Sequence, residues 1–170
     1  MPPGEAGGGG NAPPARSREL EAALSAALGT LSRRELTVEE MRGWLLERDF
    51  SAALADEAIT ELADLGELDD ERFALGFAAD KRDLAGWGSA RIAGALLNRG
   101  LEPNLVERAC AEDREAQVER AAEQLARRGY DLGADPQRAR ALAFLTRRGY
   151  EYELAYDAIR LAERALPPAA

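Results

Sequence analysis

One pattern of apolar and basic residues occurs three times in this sequence, and this repetition limits the folds that the chain can adopt. The copies are Leu45 to Ile59, Leu96 to Cys110 and Phe144 to Ile159. Aligning the shared arginines, Arg48, Arg99 and Arg148, places the copies 51 and then 49 residues apart. A period of about 50 residues indicates a repeat protein, in which each short unit buries part of its apolar face against the next. The sequence therefore predicts three units.

The first predicted unit, residues 17–68, contains three helices. A helix begins near Ser17, a second follows the capping box that Thr37 forms with Glu40, and Ser51 caps a third that stops at Gly66. Helical spacing predicts that the buried stripe of the first helix consists of Leu20, Leu24, Ala27, Leu28 and Leu31.

The second predicted unit, residues 69–112, repeats this plan. Its first helix begins at the acidic run Asp69-Asp70-Glu71, Ser89 caps the second, and Pro103 is the first residue of the third. The expected buried positions are Phe73, Ala74, Phe77, Ala78, Ile92, Leu96, Leu97, Leu105, Val106, Ala109 and Cys110.

The third predicted unit, residues 113–166, starts a helix at Asp113 that closes at Gly129. Asp135 and Pro136 form a cap and first-turn pair for the next helix, and the last helix ends before Pro167. The expected buried positions are Val118, Ala121, Ala122, Leu125, Leu142, Ala143, Leu145, Leu154, Ala158 and Ile159. Residues 1–16, rich in proline and glycine, are predicted to be a disordered tail. The predicted fold is therefore all-α, with three tandem three-helix repeats.

The turn between the second and third helices is predicted to contain a left-handed residue in every unit. Gly100 and Gly149 suit that conformation, which lets the turn satisfy the last carbonyl groups of the helix. In the first unit Asp49 stands at this position, and aspartate tolerates the left-handed region at a cost.

The composition contains no sign of an enzyme. Histidine is absent, which removes the commonest general base and metal ligand, and the carboxylates lie at helix starts where they offset the helix dipole. Cys110 aligns with Ile59 and Ile159, so we expect a packing role for its side chain. No catalytic residue, cofactor site or metal site is predicted. Because the N-terminus resembles neither a signal peptide nor a membrane span, we expect a cytoplasmic protein without membrane contact.

Charge is unevenly distributed along the chain. The net charge is −9, and the acidic excess lies in residues 19–68, whereas acids and bases balance in residues 113–170. An anionic partner should therefore prefer the last unit.

The arginine residues allow two interpretations. Most doublets stand at helix C-termini, where positive charge offsets the dipole, and the remainder could form a contact surface for phosphate or an acidic protein. Trp87, between two glycines, either packs across the break between helices or contacts a partner. The basic positions are Arg33, Arg34, Lys81, Arg82, Arg91, Arg99, Arg127, Arg128, Arg138, Arg140, Arg147 and Arg148.

Several ordered motifs resemble the RecX family of recombinase regulators. Leu68 to Ala74 reads LDDERFA, as at the start of the family's second repeat, and Gly86 to Ile92 reads GWGSARI, as at the start of the following helix. Leu31 to Leu36 resembles the entry into the first repeat, and the segment from Arg138 to Tyr150, which ends in FLTRRGY, resembles the opening of the last helix pair. The resemblance covers residues 19–165.

This resemblance implies an elongated, curved, monomeric protein that lies in the groove of a RecA filament on single-stranded DNA. Such proteins limit filament growth and reduce strand exchange, ATP hydrolysis and co-protease activity, and are not enzymes. RecA is then the main partner, and single-stranded DNA a weak one. The expected partner-binding residues are Arg33, Arg34, Arg72, Trp87, Arg91, Arg99, Arg147 and Arg148. The alternatives are a trihelical nucleic-acid-binding protein and a general helical-repeat interaction scaffold.

Overall fold

Every regular element between residues 15 and 165, the part of the chain that the computed structural model describes, is an α-helix. The predicted all-α fold is confirmed. The predicted disordered tail falls almost entirely outside the described residues. The helices are α1 (Ala15–Leu31), α2 (Val38–Leu46), α3 (Ala52–Asp64), α4 (Asp70–Asp83), α5 (Ser89–Leu97), α6 (Pro103–Cys110), α7 (Arg114–Arg128), α8 (Asp135–Arg147) and α9 (Tyr152–Ala165).

The described residues form two compact units. Unit 1 contains residues 15–36 and 40–68, and unit 2 contains residues 37–39 and 69–165. Unit 2 therefore includes the six helices α4 to α9, which correspond to two of the helix triplets that the sequence predicts. The division into three repeats stays a prediction.

In unit 1, helix α1 packs against α3 through small side chains. Ala23, Ala27 and Thr30 are buried, whereas Leu28 is 38% exposed, so the predicted leucine stripe is wrong for Leu28. Small residues let the two helix backbones approach closely, which turns the longer leucine side chains toward the edges of the contact. Only Ala27 of the predicted stripe is fully buried.

Unit 2 contains two hydrophobic cores, one for each helix triplet. Most of the predicted positions are buried, but Leu97 is 47% exposed. The predicted positions that are only partly buried are Phe77, Leu105, Cys110, Val118, Leu142 and Ala143. The buried core of α4 to α6 consists of Phe73, Ala74, Ala78, Ile92, Leu96, Leu101, Val106 and Ala109. The core of α7 to α9 includes Ala121, Ala122, Leu125, Leu132, Ala141, Phe144, Leu145, Tyr150, Leu154, Ala155, Ala158, Ile159 and Ala162.

Most helix starts follow the local sequence signals. Ser51 and Asp113 accept hydrogen bonds from backbone N–H groups in the first turns of their helices, and Pro103 occupies the first turn of α6. Two predicted caps are wrong. Gly88 precedes α5 in place of Ser89, whose hydroxyl bonds Gln117 Oε1 at 3.0 Å, and α8 already begins at Asp135.

The predicted left-handed turns are confirmed at all three equivalent positions. The φ angles are 64° at Asp49, 81° at Gly100 and 87° at Gly149. Asp49 is exposed, so its side chain extends from the turn without entering a core.

The two glycine turns also serve as docking points within unit 2. Thr37 Oγ1 donates to the Arg99 carbonyl at 2.7 Å, and Gly88 N donates to the Arg148 carbonyl at 2.8 Å. A Cβ atom at Gly100 would lie 2.6 Å from Glu39 Cβ, and one at Gly149 would lie 2.5 Å from Arg91 N. Glycine is therefore required at these turns by close packing as well as by φ.

None of the helices between residues 15 and 165 combines the length and the apolar character that crossing a membrane requires.

Candidate functional site

Four of the predicted partner-binding residues lie together where the start of α5 meets the end of α8. Trp87 is half-buried and packs edge-on against Phe77, with ring centroids 6.5 Å apart. The Arg91 guanidinium lies over the Trp87 ring, 4.1 Å from its centroid, which is a cation–π geometry. The structure therefore confirms that one edge of Trp87 packs inward, and contact of Trp87 with a partner stays a prediction.

Hydrogen bonds to backbone carbonyl groups hold the start of α5 against the end of α8. Arg91 Nη1 donates to the Arg147 carbonyl at 3.3 Å, and Ala90 N donates to the Gly149 carbonyl at 3.3 Å. These donors satisfy carbonyl groups at the end of α8 that have no partner within the helix. We call Trp87, Arg91, Arg147 and Arg148 the Trp87 cluster.

The Trp87 cluster contains one arginine held within the protein and two arginines exposed to solvent. The Arg148 side chain is half-buried, donates to the Ala85 carbonyl and lies 5.0 Å from the centroid of Phe144. Arg91 and Arg147 are exposed, and the Arg147 side chain makes no hydrogen bond or ion pair with the described residues. The cluster therefore offers a partner two exposed guanidinium groups beside an aromatic ring.

Two further predicted residues flank Phe73 in α4 rather than Trp87. The Arg99 guanidinium lies 4.1 Å from the centroid of the Phe73 ring, and Arg72 forms an ion pair with Asp69 at 3.8 Å. Arg72 is exposed near the start of α4, and the carboxylate of Asp69 partly offsets its charge.

Arg33 and Arg34 lie in unit 1, where they line a cavity of about 240 Å³. Trp44 and Arg48 line the same cavity, and the Arg48 guanidinium lies 3.7 Å from the Trp44 ring centroid. Neither Trp44 nor Arg48 is among the residues that the sequence predicts to bind a partner. The contact could have been predicted from the sequence, because residues four apart, such as Trp44 and Arg48, are neighbours on the surface of a helix.

A second group of arginines, which we call the arginine recess, lies in unit 2 around a cavity of about 360 Å³. The residues that line it come from the end of α4 and the segment after it, from α7, and from the C-cap of α8. The arginines are Arg82, Arg120, Arg127, Arg128 and Arg148. Of these, only Arg148 is among the predicted site residues.

Glu112 holds two of the recess arginines. Its carboxylate forms a bidentate contact with Arg120 and lies 3.3 Å from Arg82 Nε. The Glu112 side chain is 12% exposed and both arginine side chains are 19% exposed. Because two guanidiniums share one carboxylate, this triad keeps a net positive charge in a poorly solvated place. No local sequence pattern connects these residues, which explains why they were missed.

Cys110 has a packing environment, as its alignment with isoleucines predicts. The side chain is half-buried against the core of α4 to α6, and burial raises the pKa of its thiol. A raised pKa reduces the thiolate fraction, which is the reactive form. Within residues 15–165 no group of three carboxylate or thiol side chains is arranged to hold a metal ion.

Comparison with known proteins matches two parts of the chain to family models. Residues 23–62 match the model of the first three-helix domain of RecX, and residues 69–109 match the second three-helix domain of RecX. The Trp87 cluster and the arginine recess each lie partly in the second match and partly beyond it.

Individual relatives extend the similarity over most of the chain. The regulatory protein RecX of Deinococcus radiodurans is 35% identical over 159 residues, covering 92% of this chain and 76% of that protein. The regulatory protein RecX of Xanthomonas axonopodis pv. citri is 32% identical over 142 residues, covering 81% of this chain and 87% of that protein.

Solved structures share the fold. The crystal structure of RecX from Lactobacillus salivarius superposes with a TM-score of 0.77 at 23% identity, covering 87% of this chain and 99% of that one. A second crystal structure, of a regulatory protein RecX, superposes with a TM-score of 0.72 at 21% identity and covers 86% of this chain and 73% of that one.

Proposed function

The chain belongs to the RecX family of regulatory proteins, which are not enzymes, and from this premise we propose that it binds the RecA nucleoprotein filament. In this proposal it limits filament growth and reduces the recombinase, ATPase and co-protease activities of RecA. It acts as a monomer in the bacterial cytoplasm and contacts single-stranded DNA weakly.

The Trp87 cluster is the observation that supports a protein partner most directly. Arg91 is held over Trp87 and by the Arg147 carbonyl, so little side-chain freedom remains for it to lose on binding. Arginine and tryptophan are the residue types that contribute most often to binding hot spots. A partner surface with carboxylate groups would complement the two exposed guanidiniums of Arg91 and Arg147.

In the proposal, the remaining predicted residues also contact the partner. Arg72 and Arg99 lie around Phe73, and Arg33 and Arg34 line the cavity of unit 1. We expect Arg72 to contribute less to partner binding than the other residues, because its charge is already paired with Asp69.

Inhibition of RecA-dependent ATP hydrolysis on single-stranded DNA tests the proposal. We expect the wild-type chain to inhibit at micromolar concentration, and Arg147→Glu to raise the concentration for half-inhibition at least about tenfold, which corresponds to about 1.4 kcal/mol. Arg147 suits this test because its side chain has no partner to lose among the described residues.

Arg140→Glu is the matched control. Arg140 is also an exposed arginine of α8, without a hydrogen bond or ion pair among the described residues, so its reversal changes net charge equally. Circular dichroism would establish that both variants are folded. Absence of inhibition by the wild-type chain at micromolar concentration contradicts the function, and equal effects of the two variants contradict the role of the Trp87 cluster.

A further inference from the structure

The arginine recess carries more positive charge than its immediate surroundings neutralise. Five arginines meet three carboxylates, those of Asp83, Glu112 and Glu123, which leaves an excess of two positive charges. This excess occurs in a chain whose net charge is −9. The recess is therefore a local anion-attracting site on an acidic protein.

Four of the five guanidinium groups of the recess are held in position by the fold, and the fifth, of Arg127, is exposed and pairs with Glu123. The Arg128 and Arg148 guanidiniums lie 4.3 and 5.0 Å from the centroid of the same ring, Phe144, while Arg82 and Arg120 are held by Glu112. The adjacent loop is held as well, because Gln124 Nε2 donates to the Gly86 carbonyl at 3.0 Å. Such preorganised groups lose little conformational entropy when an anion binds.

The character of the lining matches a phosphate group. A guanidinium has five N–H donors in a planar fork, and only some of those in the recess have partners within the protein. A tetrahedral phosphate can accept hydrogen bonds from guanidiniums that approach from several directions, whereas a carboxylate accepts in one plane. We propose that the arginine recess binds a phosphodiester group of a nucleic-acid strand.

A strand suits the recess better than a free nucleotide does. Among the residues that the structure describes, Leu84 and Ala85 are the only apolar side chains in the lining, so no aromatic side chain there can stack a base. Recognition would then depend on phosphate alone, and a strand supplies neighbouring phosphates to neighbouring charges such as exposed Arg147. The inference rests on the proposed function for the choice of single-stranded DNA as that strand.

A second cavity of similar size in unit 2 provides a contrast. It measures about 350 Å³ and is lined largely by apolar side chains, among them Leu125, Tyr130 and Leu132; its lining within residues 15–165 contains two glutamates and no arginine. An anion would lose hydration there without gaining a cation. The chemistry of the lining, rather than the presence of a cavity, therefore distinguishes the recess.

Fluorescence anisotropy with a labelled single-stranded oligonucleotide, in the absence of RecA, tests this inference. We expect the double variant Arg127→Glu with Arg128→Glu to lose at least about tenfold in affinity, and its log–log salt dependence to become shallower by about 1.4. Both residues are exposed, and the Glu112 triad is left intact. Thermal unfolding would verify the fold, and Arg127→Lys with Arg128→Lys should retain most of the binding.

The control is Arg140→Glu with Arg164→Glu, which changes net charge by the same amount at exposed positions outside the recess lining. We expect less than about a twofold loss for it. Equal losses for the two double variants, or no oligonucleotide binding by the wild-type chain, overturn the inference. Tighter binding of ATP or pyrophosphate than of the oligonucleotide also overturns it, since a free phosphate compound would then be the ligand.

These measurements separate the recess from the proposed function. If the wild-type chain inhibits RecA but does not bind the oligonucleotide, the recess inference fails and the function stands. If it binds the oligonucleotide through the recess but does not inhibit RecA, the function fails and the recess inference stands.

Discussion

Asp49 is the only residue other than glycine with a positive φ angle between residues 15 and 165. The left-handed conformation brings Cβ close to the following carbonyl oxygen in L-amino acids, and aspartate reduces this cost only in part. Its exposure means that the side chain has no core contact to offset the strain.

Asp49→Gly should therefore stabilise unit 1 by about 0.5 to 1 kcal/mol, because glycine adopts this φ without a Cβ clash. Part of the gain is offset by the greater freedom of glycine in the unfolded chain. Urea unfolding followed by Trp44 fluorescence, in a Trp87→Phe background, would measure the change. Asp49→Ala is the control and should not be stabilising, and a less stable glycine variant would contradict the strain argument.

Single residues differ in how far their contacts could be predicted from the sequence. The turn conformation of Asp49 could be predicted because it depends on a few neighbouring residues, and so could the caps Ser51 and Asp113. Asp70 was expected only to serve its own helix, yet its Oδ1 accepts a hydrogen bond from Val38 N at 2.9 Å. That partner is distant in the sequence, and no local pattern indicates it.

At the scale of helices, Glu112 connects α4 to α7 through Arg82 and Arg120. It lies in the short segment between α6 and α7, and its backbone carbonyl accepts from Gln117 Nε2 at 3.3 Å. The arrangement explains why a positively charged recess can exist within a folded unit, since the poorly exposed Glu112 carboxylate reduces the repulsion between two guanidiniums.

Glu112→Gln should destabilise unit 2 by about 2 kcal/mol, because it leaves two poorly solvated guanidiniums without their carboxylate. Glu123→Gln is the matched control. Its ion pair with Arg127 has side chains 65% and 76% exposed, so its loss should cost less than about 0.5 kcal/mol. Chemical denaturation of both variants would measure the difference, and equal free energies of unfolding would show that the Glu112 triad is not stabilising.

The candidate site was partly predictable at this scale. The arginine doublets were visible in the sequence, and the structure brings Arg147 and Arg148 together with Trp87 and Arg91, whose role in partner binding stays a prediction. Arg127 and Arg128 were equally visible but resembled helix-end charges, and Arg120 and Glu112 gave no signal. A recess formed by three separate segments depends on how helices pack, which periodicity alone does not specify.

At the scale of the molecule, unit 2 is held together at the turn that contains Gly149. Gly88 N and Ala90 N donate to the carbonyls of Arg148 and Gly149, and the two backbones approach so closely that a Cβ atom at Gly149 would clash with Arg91. The helices and their order could be predicted from the repeats. This docking could not, because it depends on backbone atoms rather than on a side-chain pattern.

Gly149→Ala should destabilise unit 2 by about 3 kcal/mol, since the new Cβ would clash with Arg91 in addition to straining a φ of 87°. Gly129→Ala separates the two costs, because Gly129 has a φ of 66° but no atom within 4 Å of the new Cβ. That variant should lose only about 1 kcal/mol. Trp87 fluorescence in a Trp44→Phe background would follow both transitions. Equal losses would contradict the close-packing argument.

The turns at residues 49, 100 and 149 have a consequence for how such a chain could be lengthened. Glycine stands where another segment packs onto the turn, at residues 100 and 149, and a residue with a side chain stands at the exposed turn. An additional helix triplet inserted after residue 112 could pack onto the turn at Gly149, which already contains glycine. A triplet added before residue 17 would have to pack onto the turn at Asp49, so that extension would first require glycine at residue 49.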